Sequence, residues 1–214
     1  MLETLLVAPN IKKAVNTMAL LRAADGFVEL ANNKAIGRYY TTALNPTVTK
    51  FNGMSFDFTS GYASIGVATD FVWTKDQQFT IEWWQYCIQF NQNNWFVADG
   101  TGTSSCLKCF NDNIYLQTEG GGGASLATAA ALALNTWQHV AIVQNGGVIK
   151  VYVNGVQKMS FTAVGSFGLA TTLLTMGGGN GPYPSRAYMD QLRISNIARY
   201  TSAFTPPTLP FVVD

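Results

Sequence analysis

Residues 135–156 read N-T-W-Q-H-V-A-I-V-Q-N-G-G-V-I-K-V-Y-V-N-G-V, and this stretch decides the fold class. Two runs rich in β-branched and aromatic residues flank Asn145-Gly146-Gly147, where a positive φ angle costs little. The second run ends at Asn154-Gly155, which is another turn pair. The pattern predicts a β-hairpin followed by a second tight turn.

A further strand pattern lies upstream, between Gln78 and Phe90. Apolar side chains occupy both alternating sets of positions there, so both faces of this strand need cover. We therefore expect a central strand. The side chains that we expect to be largely buried are Trp83, Trp84, Trp137, Val151 and Val153.

Three segments occur in an order that resembles the concanavalin A-like (laminin-G-like) jelly-roll superfamily. They are F-T-I-E-W-W from Phe79, the Trp137-x-His139 hairpin, and D-Q-L-R-I from Asp190. The resemblance covers roughly residues 17–206. It implies an all-β, antiparallel two-sheet β-sandwich with a short N-terminal extension. The expected units are an N-terminal arm at 1–16, a jelly-roll domain at 17–206 and a C-terminal tail at 207–214.

The composition favours a protein that buries its surface against other proteins. Only 12% of the residues are charged, 48% are apolar, and the formal net charge is +1. A surface with few charges suits a homo-oligomer, although a β-protein whose loops are polar but uncharged has the same composition. The chain has no Lys/Arg run, no basic n-region and no apolar window of about 18 residues, so we expect neither nucleic acid nor membrane as a partner.

Hydrolysis is the first chemistry to test, because the superfamily contains glucanases. Retaining glycosidases need two carboxyl groups about 5–5.5 Å apart, and the enzymatic relatives carry acidic residues at alternating positions of one strand. Here Glu82 is followed on its own face by Trp84 and Tyr86. The sequence predicts that the protein is not an enzyme.

Two other polar residues lie in predicted strands. His139 is the single histidine, and no nucleophile turn accompanies it, so we interpret it as structural. Asp190 is expected to point the same way as Leu192 and Ile194 and to accept backbone N–H bonds from a neighbouring loop.

Metal binding is not expected. Cys106 and Cys109 have the spacing of a metal knuckle, but an extended chain places residues i and i+3 on opposite faces. Calcium takes about six to eight oxygen ligands, and we interpret Asp99 and Asp112 as turn formers. No cofactor is predicted.

Two loops have the chemistry of a sugar site, which needs an aromatic platform with amide or carboxylate partners. The candidate carbohydrate-binding residues are Asn91, Asn93, Asn94, Trp95, Asn180 and Tyr183. Both segments also read as ordinary loops between strands.

The termini of the predicted domain resemble those of phage-encoded superfamily members. The segment from Ala19 reads A-L-L-R-A-A-D-G, and the segment from Leu192 reads L-R-I-S-N-I-A-R-Y. The resemblance implies a bacteriophage virion protein made in the host cytoplasm: a capsid decoration or cement protein, or a fibre component, that binds the capsid or other virion proteins. The alternative is a carbohydrate-binding adhesion module for host-surface glycans. A glucanase-like hydrolase comes third.

The segment before residue 17 is apolar and is expected to be an attachment arm. Its candidate contact residues are Leu2, Leu5, Leu6, Ile11 and Val15. Such side chains need a partner surface. That surface belongs either to another protein or to an edge of the chain's own sheet.

Overall fold

The computed structural model describes residues 15–51, 53–66, 70–90, 94–98, 106–110, 113–117, 126–128, 132–163, 167–168, 174–178 and 184–214. The regular secondary structure of these residues is β-strand, apart from one 3-10 turn at Ala23–Asp25. No helix in the described part of the chain is long and apolar enough to cross a membrane. The strands are β1 Thr17–Leu21, β2 Ile36–Tyr40, β3 Ala43–Asn45, β4 Ser55–Asp57, β5 Gly61–Ile65, β6 Val72–Trp73, β7 Phe79–Cys87, β8 Asn94–Ala98, β9 Cys106–Phe110, β10 Asn113–Gln117, β11 Leu126–Thr128, β12 Trp137–Asn145, β13 Val148–Val153, β14 Val156–Thr162, β15 Phe167–Gly168, β16 Leu174–Met176 and β17 Ala187–Ser195.

Two antiparallel sheets form the sandwich. The eight-stranded sheet has the order β14-β13-β12-β7-β17-β4-β3, with β1 paired to β17. The seven-stranded sheet has the order β11-β10-β9-β8-β16-β5-β2, and β6 pairs with β15 separately. The predicted all-β antiparallel sandwich is confirmed, and β7 is a central strand, as the sequence indicated.

The core lies between the two sheets. β7 contributes Phe79, Ile81 and Trp83, all fully buried. The indole Nε1 of Trp83 donates a 2.8 Å hydrogen bond to Oε1 of Gln85, so its one polar atom is satisfied inside the core. The seven-stranded sheet contributes Ile65 and Met176 to the same cluster.

Local turn chemistry shapes the hairpin that the sequence predicted. Gly146 and Gly147 connect β12 to β13 with φ angles of 57° and 74°. Asn154 and Gly155 connect β13 to β14 with φ angles of 50° and 75°. Both are two-residue loops with two positive φ angles, the geometry that matches the twist of paired strands. A Cβ at Gly155 would also overlap the carbonyl oxygen of Phe204, so only glycine lets that later segment approach.

The burial predictions hold for four residues of five. Trp83, Trp84, Val151 and Val153 are buried. The prediction was wrong for Trp137, which is only half-buried. Trp137 is the first residue of β12 and lies on the outer face of the eight-stranded sheet, at a position that no other segment covers completely.

A β-bulge changes the direction of Asp190. Gln191 has a φ angle of 58°, and the pairing of β17 with β7 shifts between Asp190 and Arg193. Leu192 points into the core, whereas Asp190 lies opposite Trp84 on the outer face. The predicted direction of Asp190 was therefore wrong, because strand alternation breaks at the bulge.

Residues 196–214, which we call the C-terminal cover, lie across the outer face of the eight-stranded sheet. Tyr200 and Phe204 pack against Tyr152 and its neighbours. Phe211, in the segment expected to be a tail, is 2% exposed and packs with Trp84. Of the predicted arm, residues 1–14 lie outside the described residues, and Val15 is 74% exposed.

The core assignment predicts that Trp83→Ala destabilises the protein by about 3–5 kcal/mol, because it leaves a large cavity and removes the partner of Gln85. Trp137→Ala is expected to cost less, since half of that ring is already in solvent. Urea unfolding of both variants checks the order. Equal losses, or a larger loss for Trp137→Ala, would show that this tryptophan belongs to the core.

Candidate functional site

The outer face of the eight-stranded sheet is organised in rows of side chains that cross the strands. The first row contains Trp137, Tyr86, Tyr188 and Asp57. The second contains His139, Trp84 and Asp190, and the third contains Tyr152, Ala141, Glu82 and Arg193. The C-terminal cover lies on the second and third rows, and the first row stays half-exposed.

Glu82 is the centre of a buried ionic cluster in the third row. Its Oε1 accepts bonds from Nε and Nη2 of Arg193 at 2.9 and 2.7 Å. Its Oε2 accepts a 2.8 Å bond from the hydroxyl of Tyr200 and lies 3.1 Å from Nε2 of His139. Because the carboxylate accepts, Nε2 carries the proton of this histidine. The Glu82 side chain is fully buried.

Electrostatics keep this carboxylate ionised. Burial alone would raise the pKa of Glu82, but the hydrogen bond from His139 and the charge of Arg193 outweigh burial and hold the pKa below its usual value. Burial, followed by the charge of Glu82, raises the pKa of the Tyr200 hydroxyl, so this group remains a hydrogen-bond donor. A general acid needs the opposite shift, namely a raised carboxyl pKa.

The cluster therefore holds the fold together rather than offering a reactive group. Both oxygens of Glu82 are engaged, and the ring of Phe211 lies 4.5 Å from the guanidinium of Arg193. Asp190, in the neighbouring row, accepts 3.2 Å bonds from the backbone N–H groups of Ala23 and Phe51, as expected, while burial raises its pKa.

A second ionic contact fastens the two terminal segments to each other. Nη2 of Arg199 donates to Oδ1 of Asp214 at 2.6 Å, and the hydroxyl of Thr17 donates to the same oxygen at 2.5 Å. The backbone oxygen of Asp214 accepts the N–H groups of Val15 and Asn16, both at 2.9 Å. The start of β1 and the end of the C-terminal cover are thus one unit.

The first row, which we call the aromatic row, presents three rings on three adjacent strands. Trp137 of β12 pairs with Tyr86 of β7, which pairs with Tyr188 of β17. The ring centroids are 5.7 Å apart for the first pair and 6.3 Å apart for the second. All three side chains are half-buried, so each ring keeps part of its surface in solvent.

Charged groups lie at the β4 end of the aromatic row. Asp57 is directly opposite Tyr188, and its Oδ1 accepts bonds from the backbone N–H and the hydroxyl of Thr59, at 2.9 and 2.6 Å. Arg186, two residues before Tyr188, donates from Nη1 to the carbonyl oxygen of Thr59 at 2.8 Å. The carboxylate is therefore fixed opposite the last ring, and the guanidinium is fixed at Thr59, in the turn that follows β4.

The hydroxyl of Tyr188 stays protonated over the neutral range. Burial, the charge of Asp57 and the neighbouring Tyr86 all raise its pKa. The ring edge thus carries a donor in the neighbourhood of the Asp57 carboxylate.

The sugar-binding residues predicted from the sequence stay a prediction. Asn91, Asn93, Asn180 and Tyr183 lie outside the described residues, and only the backbone of Asn94 and Trp95 is described, in β8 of the seven-stranded sheet. The sequence interpretation missed the aromatic row because its members are 51 residues apart or more. Only the strand pairing places them side by side.

Metal ligands are not clustered in the described part of the chain, where no group of three His, Cys, Asp or Glu side chains could hold an ion. Asp99 and Asp112 lie outside the described residues, as do the side chains of Cys106 and Cys109.

Comparison with known families agrees with this architecture. Residues 57–202 match the sequence model of Laminin_G_3, described as the concanavalin A-like lectin/glucanases superfamily. The chain belongs to this family. No curated protein sequence matches it.

Several solved structures have a similar fold. The binding domain of Paraclostridial Mosquitocidal Protein 1 superposes with a TM-score of 0.67 at 15% identity, covering 86% of this chain and 50% of that one. Domain 4 of AbnA, a GH43 extracellular arabinanase from Geobacillus stearothermophilus, in complex with arabinotriose, gives a TM-score of 0.66 at 17% identity and covers 87% and 95%. The botulinum neurotoxin serotype D domain in complex with N-acetylneuraminic acid gives 0.60 at 14% identity and covers 86% and 48%. The chain spans about half the length of the toxin domains.

The lowered pKa of Glu82 predicts acid sensitivity. A carboxyl whose pKa is lower in the folded protein stabilises it at neutral pH, and this stabilisation disappears as the pH falls below about 4, through the folded-state pKa. Glu82→Gln should lose about 3 kcal/mol or more at pH 7, because Arg193 is left buried without its counter-ion, and should lose less at pH 3.

Urea unfolding at both pH values checks this, with Asp76→Asn as the control. Asp76 pairs with Lys75 on the surface, its side chain is 76% exposed, and its loss should change little. A Glu82→Gln penalty that is the same at both pH values would contradict the assignment.

Proposed function

We propose that this protein is a lectin-like, non-catalytic binding module that takes a glycan on the aromatic row. The observation that carries the proposal is the half-exposed row itself, with Asp57 and Arg186 fixed at its end. On this face the C-terminal cover closes the neighbouring rows, which directs recognition to the first one.

The chemistry of the row suits a sugar. Pyranose and furanose rings have C–H groups on one face, which pack against the electron-rich face of an aromatic ring. Their hydroxyl groups bond to a carboxylate and a guanidinium, and charge-assisted bonds of this type are the stronger ones. The ring centroids follow one another at 5.7 and 6.3 Å along the row, so one glycan chain laid across the strands can contact more than one ring.

The relatives support the class of ligand and not its identity. Two structures of this fold are complexes with arabinotriose and N-acetylneuraminic acid. Identities of 17% and 14% establish the shared fold alone, so the ligand of this chain rests on its own residues.

A location on a phage virion is the second part of the proposal. It rests on the terminal motifs that resemble phage-encoded members and on the low share of charged residues, 12%. Large apolar side chains are exposed on several elements, Val156 and Leu209 among them, and suit contact with a further copy or with a capsid protein. The glycan module would then be displayed on the particle.

We expect Tyr188→Ala to weaken the binding of at least one glycan class tenfold or more, because the change removes a ring next to Asp57 and Arg186. Tyr188→Phe should retain part of that affinity by keeping the ring. An array of immobilised neutral and acidic glycans, followed by calorimetry on the glycans that bind, measures the effect.

The control for this experiment is Asp76→Asn, an exposed position that precedes β7 at the end opposite Tyr86 and should leave binding unchanged. Wild-type protein should bind the glycans without cleaving them. Unchanged affinity in Tyr188→Ala would reject the aromatic row as the site.

Deletion of residues 1–14 tests the attachment arm. β1 begins at Thr17, and Val15 still reaches Asp214, so the truncated protein should keep its circular dichroism spectrum. Self-association, followed by light scattering, should be lost. A truncated protein that unfolds would assign these residues to the domain, and one that assembles normally would remove the arm from the proposal.

A further inference from the structure

A second group of aromatic residues lies on the opposite sheet, at the edge formed by β2 and β5. We call Tyr39, Tyr40 and Tyr62 the tyrosine cluster. The rings of Tyr39 and Tyr62 are stacked, with centroids 4.7 Å apart and planes 13° apart, and Tyr40 is tilted against Tyr62 at 5.9 Å. Ala63 and Ile65 of β5 point into the core, so Tyr62 and the cluster face outwards.

Tyr40 has a backbone conformation that is unfavourable for an aromatic residue. Its φ angle is 56°, in the left-handed region, where bulky side chains are strained. The chain crosses from the seven-stranded to the eight-stranded sheet at this point, between β2 and β3. Glycine or asparagine would make the same crossing at lower cost. The crossing explains the φ angle but not the choice of tyrosine.

Burial does not explain that choice either. Tyr40 is 68% exposed and Tyr39 is 37% exposed, so the strained residue directs its ring into solvent. An exposed ring on a strained backbone is the arrangement expected where a ligand, rather than the core, uses the ring.

The surroundings of the cluster are rigid. The hydroxyl of Thr42 lies 2.6 Å from the carbonyl oxygen of Tyr39 and 2.9 Å from that of Tyr62, and the guanidinium of Arg38 donates to the carbonyl oxygen of Thr42 at 2.5 Å. A Cβ at Gly61 would overlap the Thr42 hydroxyl, so the backbone at residue 61 approaches Thr42 as closely as glycine allows. Rings held in place before binding lose little entropy when a ligand arrives.

Hydroxyl groups border the cluster. A Cβ added at Gly37 would lie 2.5 Å from Oγ of Ser64 and 3.2 Å from the hydroxyl of Tyr39, so these two hydroxyl groups lie against the backbone of Gly37. Ser64 and Tyr62 are buried, so the rings that a ligand can reach are those of Tyr40 and Tyr39. An exposed ring beside a tyrosine hydroxyl matches a neutral sugar, whose C–H face packs on the ring and whose hydroxyl groups exchange hydrogen bonds with other hydroxyl groups.

From these contacts we infer that the tyrosine cluster is a second carbohydrate site, specific for a neutral glycan and independent of the aromatic row. The two sites occupy the outer faces of opposite sheets, so one chain has two separate points of attachment. The site on the cluster binds whether or not the aromatic row does.

The experiment uses Tyr40→Gly in the full chain, alone and combined with Tyr188→Ala. Glycine relieves the strain and removes the ring, so the melting temperature should stay unchanged or rise while binding to one set of immobilised neutral glycans falls at least tenfold. Tyr188→Ala alone should keep that binding, and the double variant should lose it. Tyr40→Phe is the conservative control and should retain the ring contact.

Each alternative outcome has a separate meaning. If neutral glycans that bind Tyr188→Ala bind equally well to the double variant, the cluster is not a sugar site, although the aromatic row stands. If Tyr188→Ala binds no neutral glycan at all, the second site is also rejected. If Tyr40→Gly lowers the melting temperature and leaves binding unchanged, the ring serves stability and the inference fails. Wild-type protein that binds no glycan overturns the proposed function as well.

Discussion

Burial of the Glu82 carboxylate is the constraint on which the outer face of the eight-stranded sheet depends. An ionised carboxyl inside a protein is costly unless every oxygen is paired. Here Arg193 and His139 supply partners from the sheet, and Tyr200 supplies one from the segment that lies over it. Residues 196–214 form that segment, so the ion cluster and the C-terminal cover require each other.

This dependence decides which part of the outer face stays open. The C-terminal cover closes the two rows that contain Glu82 and Asp190. It ends before the row of Trp137, Tyr86 and Tyr188, which therefore keeps its solvent-facing edges. One structural requirement thus buries these two carboxyl groups and leaves the aromatic rings partly exposed.

The sequence predicted what depends on local chemistry. The hairpin turns at Gly146-Gly147 and Asn154-Gly155, and the two-faced strand that contains Trp83, follow from residue types alone. The bulge at Gln191 could not be predicted, because no glycine or proline marks it, and it reverses the direction of Asp190. The aromatic row was missed for a different reason, since it exists only through the register of three strands that are distant in sequence.

Shallow sites have consequences for affinity. Half-buried rings contact one side of a sugar and leave its other side in water, so a single site of this kind binds weakly. Linked weak sites gain strength through effective concentration, provided that the ligand can reach them together. A chain with few charges and with exposed apolar side chains favours assembly, and an assembly links the binding sites of its copies. The two parts of the proposal, glycan binding and a structural role on a particle, are therefore compatible: a particle would provide the number of sites, and each copy would provide the contact.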